Sequence, residues 1–115
     1  MRRIAILLLL VSTGCHGYQV HPNAINQFDS VTYDALLAAK TTIDTGRDHL
    51  ASGVLPDRVK PALNAIIAAY NVTRPIYLAW HAAVEKGEPA DGYLADLNRN
   101  MADLSRAIAA FRESR

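Results

Sequence analysis

Apolar residues recur in this chain at alternating steps of three and four along three stretches, and that recurrence leaves little choice of fold. From residue 94 the repeat runs without a break through Leu94, Leu97, Met101, Leu104, Ile108 and Phe111. An α-helix collects that period on one face, because about 3.6 residues make a turn. Val59, Leu63, Ile66, Tyr70, Thr73, Tyr77, Trp80 and Val84 carry the same period earlier in the chain. Ile25, Phe28, Thr32, Ala35, Leu36, Ala39, Ile43 and Leu50 carry it more loosely before that. The stretches are separated by Ser52-Gly53 with Pro56 and by Gly87-Glu88-Pro89, residue types that end helices. Three helices are expected over about 24–52, 57–86 and 90–113, with Asn23 and Asp57 as candidate N-caps and Gly53 as the first stop.

Short connections force neighbouring helices to reverse, so the expected fold is all-α, an up-down-up antiparallel three-helix bundle. Folding about the two turns brings Phe28, Trp80 and Leu97 together at the end where the chain enters the bundle. Leu50, Leu63 or Ile66, and Phe111 then meet at the far end. Nineteen of the 115 residues are alanine and only 7% are aromatic, so the core is built mainly from small side chains. The pairs Ala38-Ala39, Ala68-Ala69 and Ala82-Ala83 are places where helices can approach closely. Two residues strain the pattern. Pro75 removes the hydrogen bond to the Asn71 carbonyl and is expected to kink the middle helix without ending it, since the apolar seam stays in phase on both sides. Gly46 costs about 1 kcal/mol relative to Ala inside a helix, so either a neighbouring helix passes close to it or the helix frays there.

The first fifteen residues have a different character. Met1-Arg2-Arg3 is a cationic start, Ile4 to Val11 is apolar throughout, and Ser12-Thr13-Gly14 leads to Cys15. That order is the layout of a secretory signal peptide. As a helix the apolar run reaches only about 12 Å, against roughly 30 Å of bilayer hydrocarbon, so it is not a stable span. Val11-Ser12-Thr13-Gly14-Cys15 resembles the lipobox of bacterial lipoproteins, with Ser12 where that family favours Leu. The resemblance implies that residues 1–14 are removed as a signal peptide. It implies also that Cys15 is acylated on its thiol, and usually on the new amino terminus, with lipid chains such as palmitate that anchor the protein in the cell envelope, facing the periplasm. In well-studied Gram-negative lipoproteins an Asp directly after the Cys retains the protein in the inner membrane. His16 stands there in this chain, which tilts the expected destination toward the outer membrane.

Cysteine usage agrees with this reading, since the single Cys cannot form an intramolecular disulfide and acylation consumes its thiol. Residues 15–22 combine Gly17 and Pro22 with no helical period and are expected to form a short tether that spans less than about 30 Å. The bundle then occupies residues 23–115. Twelve basic and 11 acidic residues give a formal charge of +1, and removal of Arg2 and Arg3 turns it to −1. Such a balance supplies no field to hold nucleic acid, which is not an expected partner.

Motifs for chemistry are sparse. His81 and Glu85 share a helical face at (i, i+4), but His49 is expected at the opposite end of the bundle and His16 and His21 lie in the tether. No third ligand is specified, and neither a metal nor another cofactor is assigned. No Cys-x-x-Cys-His for covalent haem occurs. Asp44 and Asp48 are also at (i, i+4), beside Arg47 in a threonine-rich stretch, where a solvated face explains them more simply than acid–base work. Nucleophile elbows, phosphate-binding glycine loops and His-Glu-x-x-His runs are missing, and the chain is read as a non-enzyme. Asn71-Val72-Thr73 spells a glycosylation sequon, which carries no weight inside an expected helix of a chain whose leading residues resemble a bacterial lipoprotein.

Tyr70, Tyr77, Trp80 and His81, close to Pro75, are the candidates for ligand or partner contact. Tyr and Trp combine an apolar body with a polar end, and a proline kink can open a crevice between packed helices. Filling of the core where alanines leave space is the other reading of the same rings. Two functions follow. One is an envelope lipoprotein acting as an interaction or scaffold module, with an envelope protein or a second copy as partner. The alternative is a helical ligand-binding module that uses a crevice near Pro75.

Overall fold

The computed structural model describes residues 24–115. The expected signal peptide, Cys15, the tether and Asn23 lie outside the described residues. The rest is all-α: α1 spans Gln27–Ala51, a 3-10 turn spans Asp57–Val59, α2 spans Lys60–Glu85 and α3 spans Asp91–Ser114. The three helices form a bundle with α2 in the middle, packed against both α1 and α3. Among the described residues no helix is long and apolar enough to cross a membrane.

Two expected caps are corrected by local hydrogen bonding. Asn26 caps α1: its backbone is extended and its side-chain oxygen accepts the Asp29 amide at 2.8 Å, so the helix begins at Gln27. Asp57 caps nothing. It opens the 3-10 turn closed by the Val59 amide on the Pro56 carbonyl at 3.1 Å, and α2 starts only at Lys60, with Pro61 in its first turn. The stops fall where expected. Gly53 and Gly87 take the left-handed conformation with φ of 79° and 72°, which a Cβ would strain. After α2 the Gly87 amide bonds to the Val84 carbonyl at 3.1 Å and the Glu88 amide to the Ala83 carbonyl at 2.9 Å, a Schellman motif that satisfies carbonyls otherwise left open.

One continuous core joins Leu36, Ala39 and Ile43 of α1 to Leu63, Ile66, Tyr77 and Trp80 of α2 and to Leu97, Leu104 and Phe111 of α3. In α3 the residues seven apart are buried, while Leu94, Met101 and Ile108 between them are half-buried. Ala39 and Ala83 are buried and Ala69 is half-buried, with Ala38 and Ala68 turned to solvent. A Cβ on Gly46 would lie 2.9 Å from Leu63 Cδ1 and 3.5 Å from Phe111 Cζ. Close approach of neighbouring side chains therefore explains the glycine, and α1 runs unbroken through it.

Helix α2 passes through Pro75 and continues to Glu85 as one element. Pro75 has no amide to give, so the Asn71 carbonyl lacks its usual donor four residues on. Two residues earlier the buried Thr73 hydroxyl lies 2.6 Å from the Ala69 carbonyl and 3.4 Å from the Asn100 carbonyl of α3. On the outer face of α3, Asp96 pairs with Arg99 at 2.8 Å and Asp103 with Arg106. Both pairs are exposed and contribute little.

Candidate functional site

The best-defined polar cluster begins with Asp29, in the first turn of α1 and only 2% exposed. A carboxylate so deep in a bundle needs compensation, and four groups supply it. The Ile25 amide donates to its Oδ2 at 2.8 Å, and the Tyr77 hydroxyl donates to its Oδ1 at 2.6 Å. His81 Nε2 lies 3.3 Å from Oδ2, and the open amides at the start of α1 add their partial positive charge. Tyr77 and His81 stand one turn apart on α2 at (i, i+4), so a single face of that helix meets the carboxylate twice. His81 Nδ1 faces Glu85 Oε1 at 3.3 Å, which places the imidazole, 25% exposed, between two carboxylates.

Aromatic rings join the cluster to the core. Phe28 meets Trp80 edge-on at 5.2 Å, and Tyr77 lies 6.3 Å from Trp80 and 5.9 Å from His81. Burial raises the Tyr77 pKa far above its ordinary value of 10.0, and the hydrogen bond to Asp29 and that carboxylate's charge push it the same way. The phenol therefore stays protonated and acts as a donor. Its acceptors and donors already engaged with each other, the cluster works as a clamp between the start of α1 and the end of α2.

A groove of about 670 Å³ opens beside the clamp, between α1 and α2. Tyr33, Leu36, Leu37 and Lys40 form one wall, and Tyr70, Asn71, Arg74, Pro75, Tyr77 and Leu78 form the other. Leu37 is 52% exposed and Leu78 46%, high for leucines that line a groove between packed helices. Asn71, whose carbonyl Pro75 deprives of its usual donor, is among the residues of this wall. Lys40 forms an exposed pair with Asp44 at 2.8 Å, whose hydrogen bond and charge raise the lysine's pKa.

The residues singled out in the sequence divide between these features. Trp80 and His81 join the clamp, Tyr70 lines the groove, and Tyr77 belongs to both. A groove does lie beside Pro75, but Trp80 and His81 do not line it. Asp44 and Asp48 are exposed on α1, about 22 and 28 Å along the helix from Asp29 at 1.5 Å per residue. His49 lies near the opposite end, where it lines a hollow of about 210 Å³ with Gly46, Phe111 and Arg112. Among the described residues no three His, Cys, Asp or Glu side chains converge as a metal site.

Asp29 is the residue that sequence reasoning missed. The signal was present, because residues 29, 32, 36, 39, 43, 46 and 50 follow steps of three and four without a gap. A charge at the first position and a glycine at the sixth hide the continuity of that seam. No protein-family model, curated protein or solved structure matches the chain.

Proposed function

We propose that the chain is a small lipid-anchored protein of the bacterial envelope. In this reading residues 1–14 are a signal peptide, residues 15–22 are the acylated Cys15 and its tether, and the bundle of residues 23–115 is a non-enzymatic interaction module. It faces the periplasm, with the outer membrane as the favoured site. One observation carries the reading: the ordered run of basic start, eight apolar residues, three small or polar residues and a single cysteine. Two or more acyl chains hold a protein at a bilayer where one chain binds only marginally.

Support for a partner comes from the surface. Tyr33, Leu37 and Leu78 keep apolar area in water along one face after the three helices have packed, and such a patch favours association. An envelope protein or a second copy of the chain would cover it. Support for a non-enzymatic role is the engagement of Asp29, Tyr77 and His81 with one another, with Asp44 and Asp48 far along α1. Cell fractionation tests the proposal. The wild-type protein should remain with membranes after a high-salt wash and leave them only in detergent, and Cys15→Ala should be released in aqueous buffer. Equal release of both proteins would contradict it. Crosslinking in intact cells then reports the partner covering Leu37 and Leu78.

A second reading, a helical ligand-binding module, is favoured by the groove beside Pro75. Trp80 is the chain's one tryptophan and packs on Tyr77, which lines that groove, so its emission should respond when the groove fills.

A further inference from the structure

We infer that the groove between α1 and α2 binds a single-chain anionic amphiphile, a carboxylate head on an acyl chain of medium length; this rests on the second reading above. Groups follow a fixed order along the groove. The two helices run in opposite directions, so Lys40 stands across from Tyr70, and Tyr33 across from Tyr77. Arg74 lies one turn from Tyr70 on the same helix. By the same register Arg74 and Leu37 stand at mid-groove, so Lys40 and Tyr70 mark one end and Tyr33, Tyr77 and Leu78 the other.

Among the described residues no Asp or Glu lines the groove. Lys40 is held by Asp44, but a pair this exposed is readily exchanged for another anion. The Arg74 guanidinium has no carboxylate within ion-pair distance among the described residues. It projects from an exposed position on the turn that Pro75 interrupts. A guanidinium offers paired donors that match the two oxygens of a carboxylate. The lining covers residues 33–40 of α1 and 70–78 of α2, about 10–12 Å of helix at 1.5 Å per residue. That length suits an extended chain of moderate size, with its head at Lys40, Arg74 one turn further along the groove, and its tail running past Leu37 to Tyr33 and Leu78.

The test uses the full chain carrying Cys15→Ser, titrated with sodium decanoate below the concentration at which micelles form. Calorimetry gives affinity and amide chemical shifts give location. Decanol supplies the same tail without charge, and acetate the same head without a tail. Decanoate should saturate one site, with the largest shifts at Leu37, Tyr70 and Leu78. Decanol should bind about tenfold more weakly or worse, and acetate not at all, given the strength of charge-assisted hydrogen bonds. Removing both exposed cations, Lys40→Ala with Arg74→Ala, should weaken decanoate about tenfold and leave decanol unchanged. Unaltered circular dichroism confirms that the variant is folded.

Equal binding of decanoate and decanol, indifferent to the two cations, would overturn the anionic class while leaving a ligand groove in place. No saturable binding of either would overturn both the inference and the reading beneath it. Shifts in this patch that grow with protein concentration alone, or binding only to vesicles containing phosphatidylglycerol, would assign the groove to a second copy or to a bilayer surface and so overturn the inference.

Discussion

Where the chain enters the bundle, a carboxylate, a phenol and an imidazole are packed with Phe28 and Trp80. At the opposite end Gly46 receives Leu63 and Phe111 directly, with Ile66 and Leu104 buried in the same core. The aliphatic end gains stability by area alone, and such contacts tolerate small shifts of one helix along another. Hydrogen bonds at the polar end have no such tolerance. Sliding α1 by a turn against α2 would separate Asp29 from Tyr77 and His81 and leave a charge buried without partners. The comparison teaches a division of labour, in which one end supplies most of the stability and the other fixes the register.

The largest effect should come from the aliphatic end. Phe111→Ala empties a fully packed site and should cost about 3–5 kcal/mol in urea unfolding, by the same amount at every pH between 6 and 9. Asp29→Ala should cost somewhat less, about 3 kcal/mol, because it strips acceptors from the Tyr77 hydroxyl and the Ile25 amide. Tyr77→Phe alone should cost about 1–2 kcal/mol and add almost nothing once Asp29 is gone. Full additivity of those two substitutions would break the comparison, since it would mean that the clamp is no unit.

A pH titration sharpens it. The folded state raises the Tyr77 pKa above the 10.0 of an ordinary tyrosine, so it favours the protonated phenol. That contribution is complete below pH 10 and is lost as the pH climbs from there toward the folded-state value. Stability of the wild type should therefore decline above pH 10 more steeply than that of Tyr77→Phe, and ultraviolet titration should show one tyrosine that ionises only on unfolding. The smallest effect is expected for Gly46→Ala. Better helix propensity is worth about 1 kcal/mol, and displacement of the terminal methyl of Leu63 offsets it, so stability should stay within about 1 kcal/mol of wild type. Gly46→Leu has no such escape and should unfold the far end.

The far end was the more legible in the sequence. Leu63, Ile66, Leu104 and Phe111 announce themselves by period, and the left-handed glycines that stop α1 and α2 fall where the composition breaks. The meeting of Phe28 with Trp80 also follows from folding the chain at its turns. What period could not show is that Asp29 occupies an inward position. An amphipathic pattern assigns charges to the solvent face, and only a second helix presenting a phenol donor and an imidazole at the right height makes a buried carboxylate tolerable. The cap at Asn26 was hidden for a related reason: Asn23 and Asn26 are the same residue type, and the choice between them is made by the Asp29 amide three residues on. The groove was anticipated beside Pro75, yet its α1 wall of Tyr33, Leu37 and Lys40 depends on how the two helices are rotated, which spacing alone does not set.

The claim on which the functional account turns concerns Cys15, and intact-mass spectrometry of the protein recovered from cell membranes tests it most directly. The account predicts a chain that starts at Cys15 and carries the added mass of a diacylglyceryl group, with a further acyl chain on its amino terminus. A chain that retains residues 1–14, or one cut elsewhere with an unmodified thiol at Cys15, would contradict it.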